Sequence, residues 1–135
     1  MSKILFKKIY NDDGFYEIKF SVESNKIIAN TNIYITNKKM NNLVMNLEEI
    51  INFNSKKFYW ETTKMNSKKY AEGVSIDLTV ENTGHIKCKI KMDFDKKQNY
   101  GCYFEINDIE FTDLEKLNNE LKYMNEANID YIASN

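Results

Sequence analysis

Hydrophobic and polar residues alternate strictly along three consecutive stretches between residues 73 and 106. The apolar members are Val74, Ile76, Leu78 and Val80 in the first stretch, Ile86, Cys88, Ile90, Met92 and Phe94 in the second, and Cys102, Phe104 and Ile106 in the third. A period of two places all apolar side chains of a strand on one face. The pattern therefore predicts three antiparallel strands with one buried and one exposed face each.

A helical pattern follows these strands directly. Leu114, Leu117, Leu121 and Met124 recur at spacings of three, four and three residues, which places them on one face of a helix. We expect Thr112 to cap this helix, because a hydroxyl followed three residues later by a glutamate is typical of a capping box.

The N-terminal half predicts the same order of elements. Alternation indicates strands over Ile4–Tyr10, over Phe15–Glu23 and from Ile27 onward. A two-residue turn at Ser24 would place Val22 opposite Ile27. An amphipathic helix follows, with apolar positions Met40, Leu43, Val44, Leu47, Ile50 and Ile51. A short strand near Phe58–Thr62 and a polar connection over Lys64–Tyr70 lead to the second half.

These elements predict an α+β fold. All connections are short, which favours antiparallel neighbours, so we expect a single twisted antiparallel sheet of six or seven strands with two helices packed on one face. Residues 1–135 would form a single domain with a pseudo-repeat over 3–53 and 57–126 and a short C-terminal tail, 127–135.

The two cysteines are predicted to be buried free thiols. A hairpin loop over Asp95–Asn99 would place Met92 opposite Cys102 and Cys88 opposite Ile106, so the thiols lie four residues apart, ~13 Å along the strands. A disulfide needs Cα atoms within about 7 Å. Free thiols indicate a reducing compartment, and we therefore expect a cytoplasmic protein.

Composition argues against nucleic-acid and membrane partners. The chain has 19 lysines and no arginine, and its net charge is −1. It therefore lacks the forked guanidinium contacts that favour phosphate and guanine recognition, and its total charge does not attract an anionic surface. No apolar run approaches the ~20 residues of a membrane-spanning helix.

Charge is distributed unevenly along the chain. From Glu105 to the end there are eight acidic residues and two lysines, and the start of the second predicted helix carries a cluster of acids: Asp108, Glu110, Asp113 and Glu115. We predict that these four form part of a partner-binding patch. They could instead serve as capping and solvated acids, or as metal ligands.

Candidate catalytic residues lack the partners that catalysis requires. His85 is the one histidine and borders a turn, and both cysteines lie on apolar strand faces, where thiolates are disfavoured. Asp93 begins a sequence like a calcium loop, but Lys97 and Gln98 stand where a ligand and the required glycine belong. We expect no catalytic, metal-binding or cofactor-binding residues.

Four features follow one another along the second half: a strand opening at Gly73, a turn and strand over Gly84–Cys88, an aromatic-acidic strand over Tyr103–Ile106 and a leucine helix from Leu114. In this order the chain resembles the WapI-type immunity proteins found beside bacterial polymorphic toxins. The resemblance implies a cytosolic, non-enzymatic protein that binds and neutralises a cognate toxin.

We therefore predict an immunity protein that binds a protein toxin directly, as a monomer or a weak homodimer. The alternative is a small-molecule-binding or regulatory α+β domain with a pocket between sheet and helices, lined by aromatics such as Phe20, Trp60 and Phe104. An enzyme is the third class. A filled core with an exposed contiguous patch would favour a protein partner over a ligand.

Overall fold

A computed structural model describes residues 2–62, 73–95 and 100–135. The elements are β1 (Lys3–Asp12), β2 (Phe15–Glu23), β3 (Ile28–Thr36), α1 (Asn37–Ile51), β4 (Lys57–Glu61), β5 (Gly73–Val80), β6 (Ile86–Asp95), β7 (Tyr100–Ile106), α2 (Phe111–Leu121) and β8 (Ile132–Ser134). The predicted connection over Lys64–Tyr70 and most of the predicted loop over Asp95–Asn99 lie outside the described residues. Among the residues described, no helix is both long and apolar enough to cross a membrane.

The eight strands form two antiparallel sheets of four strands each. The first sheet has the order β3-β2-β1-β8 and the second β4-β5-β6-β7. The α+β class is confirmed, but the prediction of a single sheet of six or seven strands is wrong. The reason lies at β1, which pairs with β2 along one edge and with β8 along the other. No edge of β1 is left for a strand of the second half.

One hydrophobic core joins both sheets and both helices. Phe6 in β1 contacts Trp60 in β4 with ring centroids 6.5 Å apart, and the inward faces of the helices complete the core with Met40, Leu43, Leu47, Ile50, Leu114, Leu117 and Leu121. Among the described residues, a cavity between sheets and helices, lined by residues such as Phe6, Leu47 and Leu114, has a volume of ≈ 10 Å³. This core is therefore filled by side chains, as expected from native packing densities.

Strand register agrees with the sequence pattern over most of the second sheet, where a shift between Asp93 and Asp95 places Asp95 opposite Tyr100 at the end of the predicted hairpin, and departs from it in the first. Leu78 lies opposite Cys88, and Met92 opposite Cys102, as predicted. In the first sheet Val22 lies opposite Ala29 instead of Ile27. The hydroxyl of Ser24 accepts a hydrogen bond from the Ile27 backbone amide, and this closes a longer turn. Because the shift is two residues, Thr31, Ile33 and Ile35 still face the core, but Ile27 lies in the turn and is exposed.

The segment 127–135, predicted as a tail, is packed against β1. Lys8 holds it in two ways: the Nζ donates to the carbonyls of Met124 and Ala127, both at 2.8 Å, and the backbone exchanges hydrogen bonds with Asp130 and Tyr131. The Lys8 side chain is fully buried and lies over the ring of Tyr16. The order of elements follows the predicted halves, and the pseudo-repeat itself stays a prediction.

Candidate partner-binding surface

The four predicted acids lie between the end of β7 and the first turns of α2. Asp108, Glu110 and Glu115 are exposed, and Asp113 is half-buried. The Oδ2 atom of Asp108 accepts a hydrogen bond of 2.7 Å from the backbone amide of Ser2. Asp108 therefore connects the start of the chain to the segment that leads into α2, while its carboxylate stays at the surface.

Helix α2 begins earlier than predicted, with a capping box formed by Glu110 and Asp113. The Oδ2 atom of Asp113 accepts a hydrogen bond of 2.9 Å from the backbone amide of Glu110. The prediction of Thr112 as the cap is wrong. Ile109, immediately before the cap residue Glu110, and Leu114, four residues after it, are both buried, and their burial places the start of the helix at Glu110. This arrangement matches a hydrophobic staple, which fixes the angle at which the chain enters the helix.

The acidic segment forms one wall of a surface cleft of ≈ 460 Å³. The opposite wall is the turn before β6, with Gly84, His85 and Ile86. His85 is exposed, as predicted for a turn residue. The cleft therefore combines acidic side chains with one imidazole and the aromatic ring of Phe111.

Sequence reasoning missed Phe53, which lies beside this cleft. Its side chain is 79% exposed, and its ring contacts the ring of Phe111 at a centroid distance of 5.2 Å. Its backbone has φ 61°, in the left-handed region that costs an L-residue about 1–2 kcal/mol. The available signal was a large aromatic immediately after helix α1, at a position where glycine is preferred.

A second exposed surface is the outer face of the second sheet. The register places Lys89 between Asp77 and Glu105, as predicted, although the carboxylate of Glu105 forms its ion pair diagonally, with Lys87 at 3.6 Å. Tyr59 and Tyr103 are exposed on the outer strands. Charges of both signs alternate across this face, so it has no single-sign field with which to attract a charged partner.

The cysteines show no sign of nucleophilic chemistry. Both are free thiols, as predicted, but only Cys88 is buried, and Cys102 is half-buried. Burial raises the pKa of the Cys88 thiol to about 12 and also raises the pKa of Cys102, which disfavours the reactive thiolate. Across the described ranges, no group of three or more histidine, cysteine, aspartate or glutamate side chains is placed to hold a metal ion.

Comparisons with family models, with curated proteins and with solved structures find no match to this chain. The predicted resemblance to immunity proteins therefore rests on the sequence pattern alone.

Proposed function

We propose that the chain is a non-enzymatic binding protein that neutralises a cognate bacterial toxin by contacting it directly. The binding surface comprises the acidic residues Asp108, Glu110, Asp113 and Glu115 and the adjacent aromatic pair, Phe53 and Phe111. A basic toxin domain is the partner that this surface fits, because complementary charge accelerates association and excludes wrong partners.

The observation that carries this proposal is the fixed position of the surface carboxylates. Asp108 is held by the amide of Ser2, and Asp113 by the amide of Glu110. Groups that are already ordered lose less conformational entropy on binding than freely rotating side chains. The surface is therefore preorganised for a partner that carries positive charge.

The alternative of a ligand pocket between sheet and helices has little support. The cavity there has a volume of ≈ 10 Å³, whereas small-molecule sites are about 300–1,000 Å³. Phe20 and Trp60 belong to the buried core, and Phe104 packs against it. The indole nitrogen of Trp60 donates to the carbonyl of Lys39, so its polar atom is already used inside the fold.

A charge-neutralised variant tests the proposal. The probe is a toxin domain encoded by the adjacent gene, which the proposal expects. We expect the quadruple amide variant Asp108→Asn, Glu110→Gln, Asp113→Asn, Glu115→Gln to bind it at least about tenfold more slowly at low salt, because steering by complementary charge raises association rates by about 10–10³. Amides keep the size of the side chains and part of their hydrogen bonding. Association rates are measured by surface plasmon resonance, and protection by growth of cells that produce the toxin.

The matched control neutralises four exposed acids elsewhere, Asp12, Asp13, Glu81 and Glu126. It changes the net charge by the same amount but leaves the proposed surface intact, so it should associate at the wild-type rate. Equal rates for the two quadruple variants would show that this surface does not attract the toxin.

A further inference from the structure

Phe53 occupies the position in a helix-ending motif that glycine normally takes. Its backbone amide donates to the carbonyl of Ile50 at 3.1 Å, and the amide of Asn54 donates to the carbonyl of Glu49 at 2.9 Å. These two hydrogen bonds define a Schellman motif, with Asn52 as the C-cap and Phe53 at the following left-handed position. Glycine is favoured there because it has no Cβ to clash with the backbone.

Folding gives no sufficient reason for a phenylalanine at this position. Phe53 is 79% exposed and therefore gains little from burial, and its ring contacts the ring of Phe111. Two other turns use glycine for a positive φ, at Gly14 and Gly84, and a third uses Asp130, a residue type whose short polar side chain tolerates this conformation better than phenylalanine does. A strained backbone that displays a large apolar ring points to a role outside the folding of the monomer.

We propose that Phe53 is the anchor residue of the partner-binding surface and inserts into an apolar pocket of a cationic protein. This inference deepens the proposed function and rests on it. Aromatic residues that fill a pocket near the centre of an interface contribute most of the binding free energy, while surrounding polar groups exclude water. The strained backbone then orients the ring before the partner arrives.

The charges beside the ring define the chemistry of the partner. Phe111, the contact of Phe53, lies within the segment 108–115, which contains four acidic residues and no lysine, whereas the segment after Phe53 carries the exposed Lys56 and Lys57. The complementary pocket is therefore apolar at its base and bordered by lysine or arginine side chains on the side that faces α2. An acidic pocket would place like charge opposite these carboxylates. A neutral pocket would remove their water without a compensating interaction.

The test separates stability from binding at one position. We expect Phe53→Gly to weaken binding of the toxin domain encoded by the adjacent gene by about thirtyfold or more, as for an interface hot spot, and to raise the melting temperature by about 3 °C or more, because the strain is removed. Phe53→Ala should weaken binding equally without this gain in stability, since alanine keeps the strain. Affinity is measured by calorimetric titration and unfolding by circular dichroism.

The control is Tyr59→Ala, which removes an aromatic side chain of similar exposure, 56%, from the outer face of the second sheet. It should bind within twofold of wild type. If Phe53→Gly also binds within twofold, or melts at a lower temperature than wild type, the anchor role is refuted while the proposed function stands. Absence of binding by the wild-type chain would overturn both proposals.

Discussion

Lys8 and Tyr16 form a buried pair at the end of the core where the C-terminal segment packs. The Nζ of Lys8 lies 4.8 Å from the centroid of the Tyr16 ring, a distance at which the ring face attracts a cation. Burial lowers the pKa of Lys8 and raises the pKa of Tyr16 to about 12. Within the described residues the Tyr16 hydroxyl has no hydrogen-bond partner, so it contributes a desolvation cost without a compensating bond.

Replacing Tyr16 by phenylalanine should therefore change how stability depends on pH. Unfolded tyrosine loses its proton near pH 10, but the folded side chain keeps it to about 12, so above pH 10 the folded state binds more protons and becomes less stable as pH rises. By pH 11 this loss is about 1.4 kcal/mol in wild type and absent in Tyr16→Phe. Urea unfolding between pH 7 and pH 11 measures the difference.

At neutral pH the same variant should be at least as stable as wild type, because it removes an unpaired buried hydroxyl and leaves the ring in place. Lys8 is unchanged in both proteins, so its own titration cancels in the comparison to a first approximation. Parallel stability curves for the two proteins up to pH 11 would show that the Tyr16 hydroxyl is solvated in the folded state.

Among the elements, β8 is short but strongly fixed. Ala133 is fully buried, and the side chain of Asn135 accepts a hydrogen bond from the amide of Ile4 at 2.6 Å and donates one to the carbonyl of Ser2 at 3.0 Å. The amide of Ser134 donates to Glu120 in α2. This strand therefore connects the first sheet to the second helix.

We expect Asn135→Ala to lower the free energy of unfolding by about 1–3 kcal/mol, because it leaves a buried amide and a buried carbonyl without partners. Chemical denaturation measures this loss. The control Asn125→Ala changes an exposed asparagine and should have an effect of no more than about 0.5 kcal/mol. Similar small effects for both variants would mean that water replaces the Asn135 side chain at the first sheet.

Sequence patterns predicted the elements whose side chains alternate over many residues. The strands β5, β6 and β7 show uninterrupted alternation, and their registers follow from it, including the separation of Cys88 from Cys102. Strand β8 was missed because three residues with one buried alanine give no periodic signal. Without β8, nothing in the sequence indicates that β1 has both edges occupied, and this is why one sheet was expected instead of two.

The candidate surface could be predicted only in part, because the tertiary contacts that hold it leave no periodic pattern in the sequence. Acid clusters are visible in the sequence, so Asp108, Glu110, Asp113 and Glu115 were found. Their hydrogen bonds to Ser2 and within the capping box depend on tertiary contacts. Phe53 was missed because it follows the last apolar position of the predicted helix, Ile51, and hydrophobic periodicity carries no information on its left-handed backbone or its exposure.

At the scale of the whole molecule, the two sheets share a single core. Phe6 contacts Phe20 within the first sheet and Trp60 in the second. Both helices add side chains to the same cluster. Because neither sheet has a separate core among the described residues, loss of one sheet would expose the apolar face of the other to water.

We therefore expect the chain to unfold in one cooperative transition. Trp60 is the single tryptophan and is 3% exposed between the sheets, so its fluorescence reports contact between them, whereas far-ultraviolet circular dichroism reports strands and helices throughout. Coincident denaturation curves from the two signals are the expected result. Two separate transitions would show instead that the predicted halves, 3–53 and 57–126, unfold independently.

Because Lys8 is buried, the rate at which its amine is chemically modified reports local opening of the folded chain. Amine-selective acylating reagents require a solvent-exposed neutral amine, and the Lys8 side chain is fully buried beneath the carbonyls of Met124 and Ala127. Exposed lysines react at once, but Lys8 reacts only after local opening has exposed it. The rate at which Lys8 becomes acylated therefore reports how often the molecule opens far enough to separate this amine from the carbonyls of Met124 and Ala127.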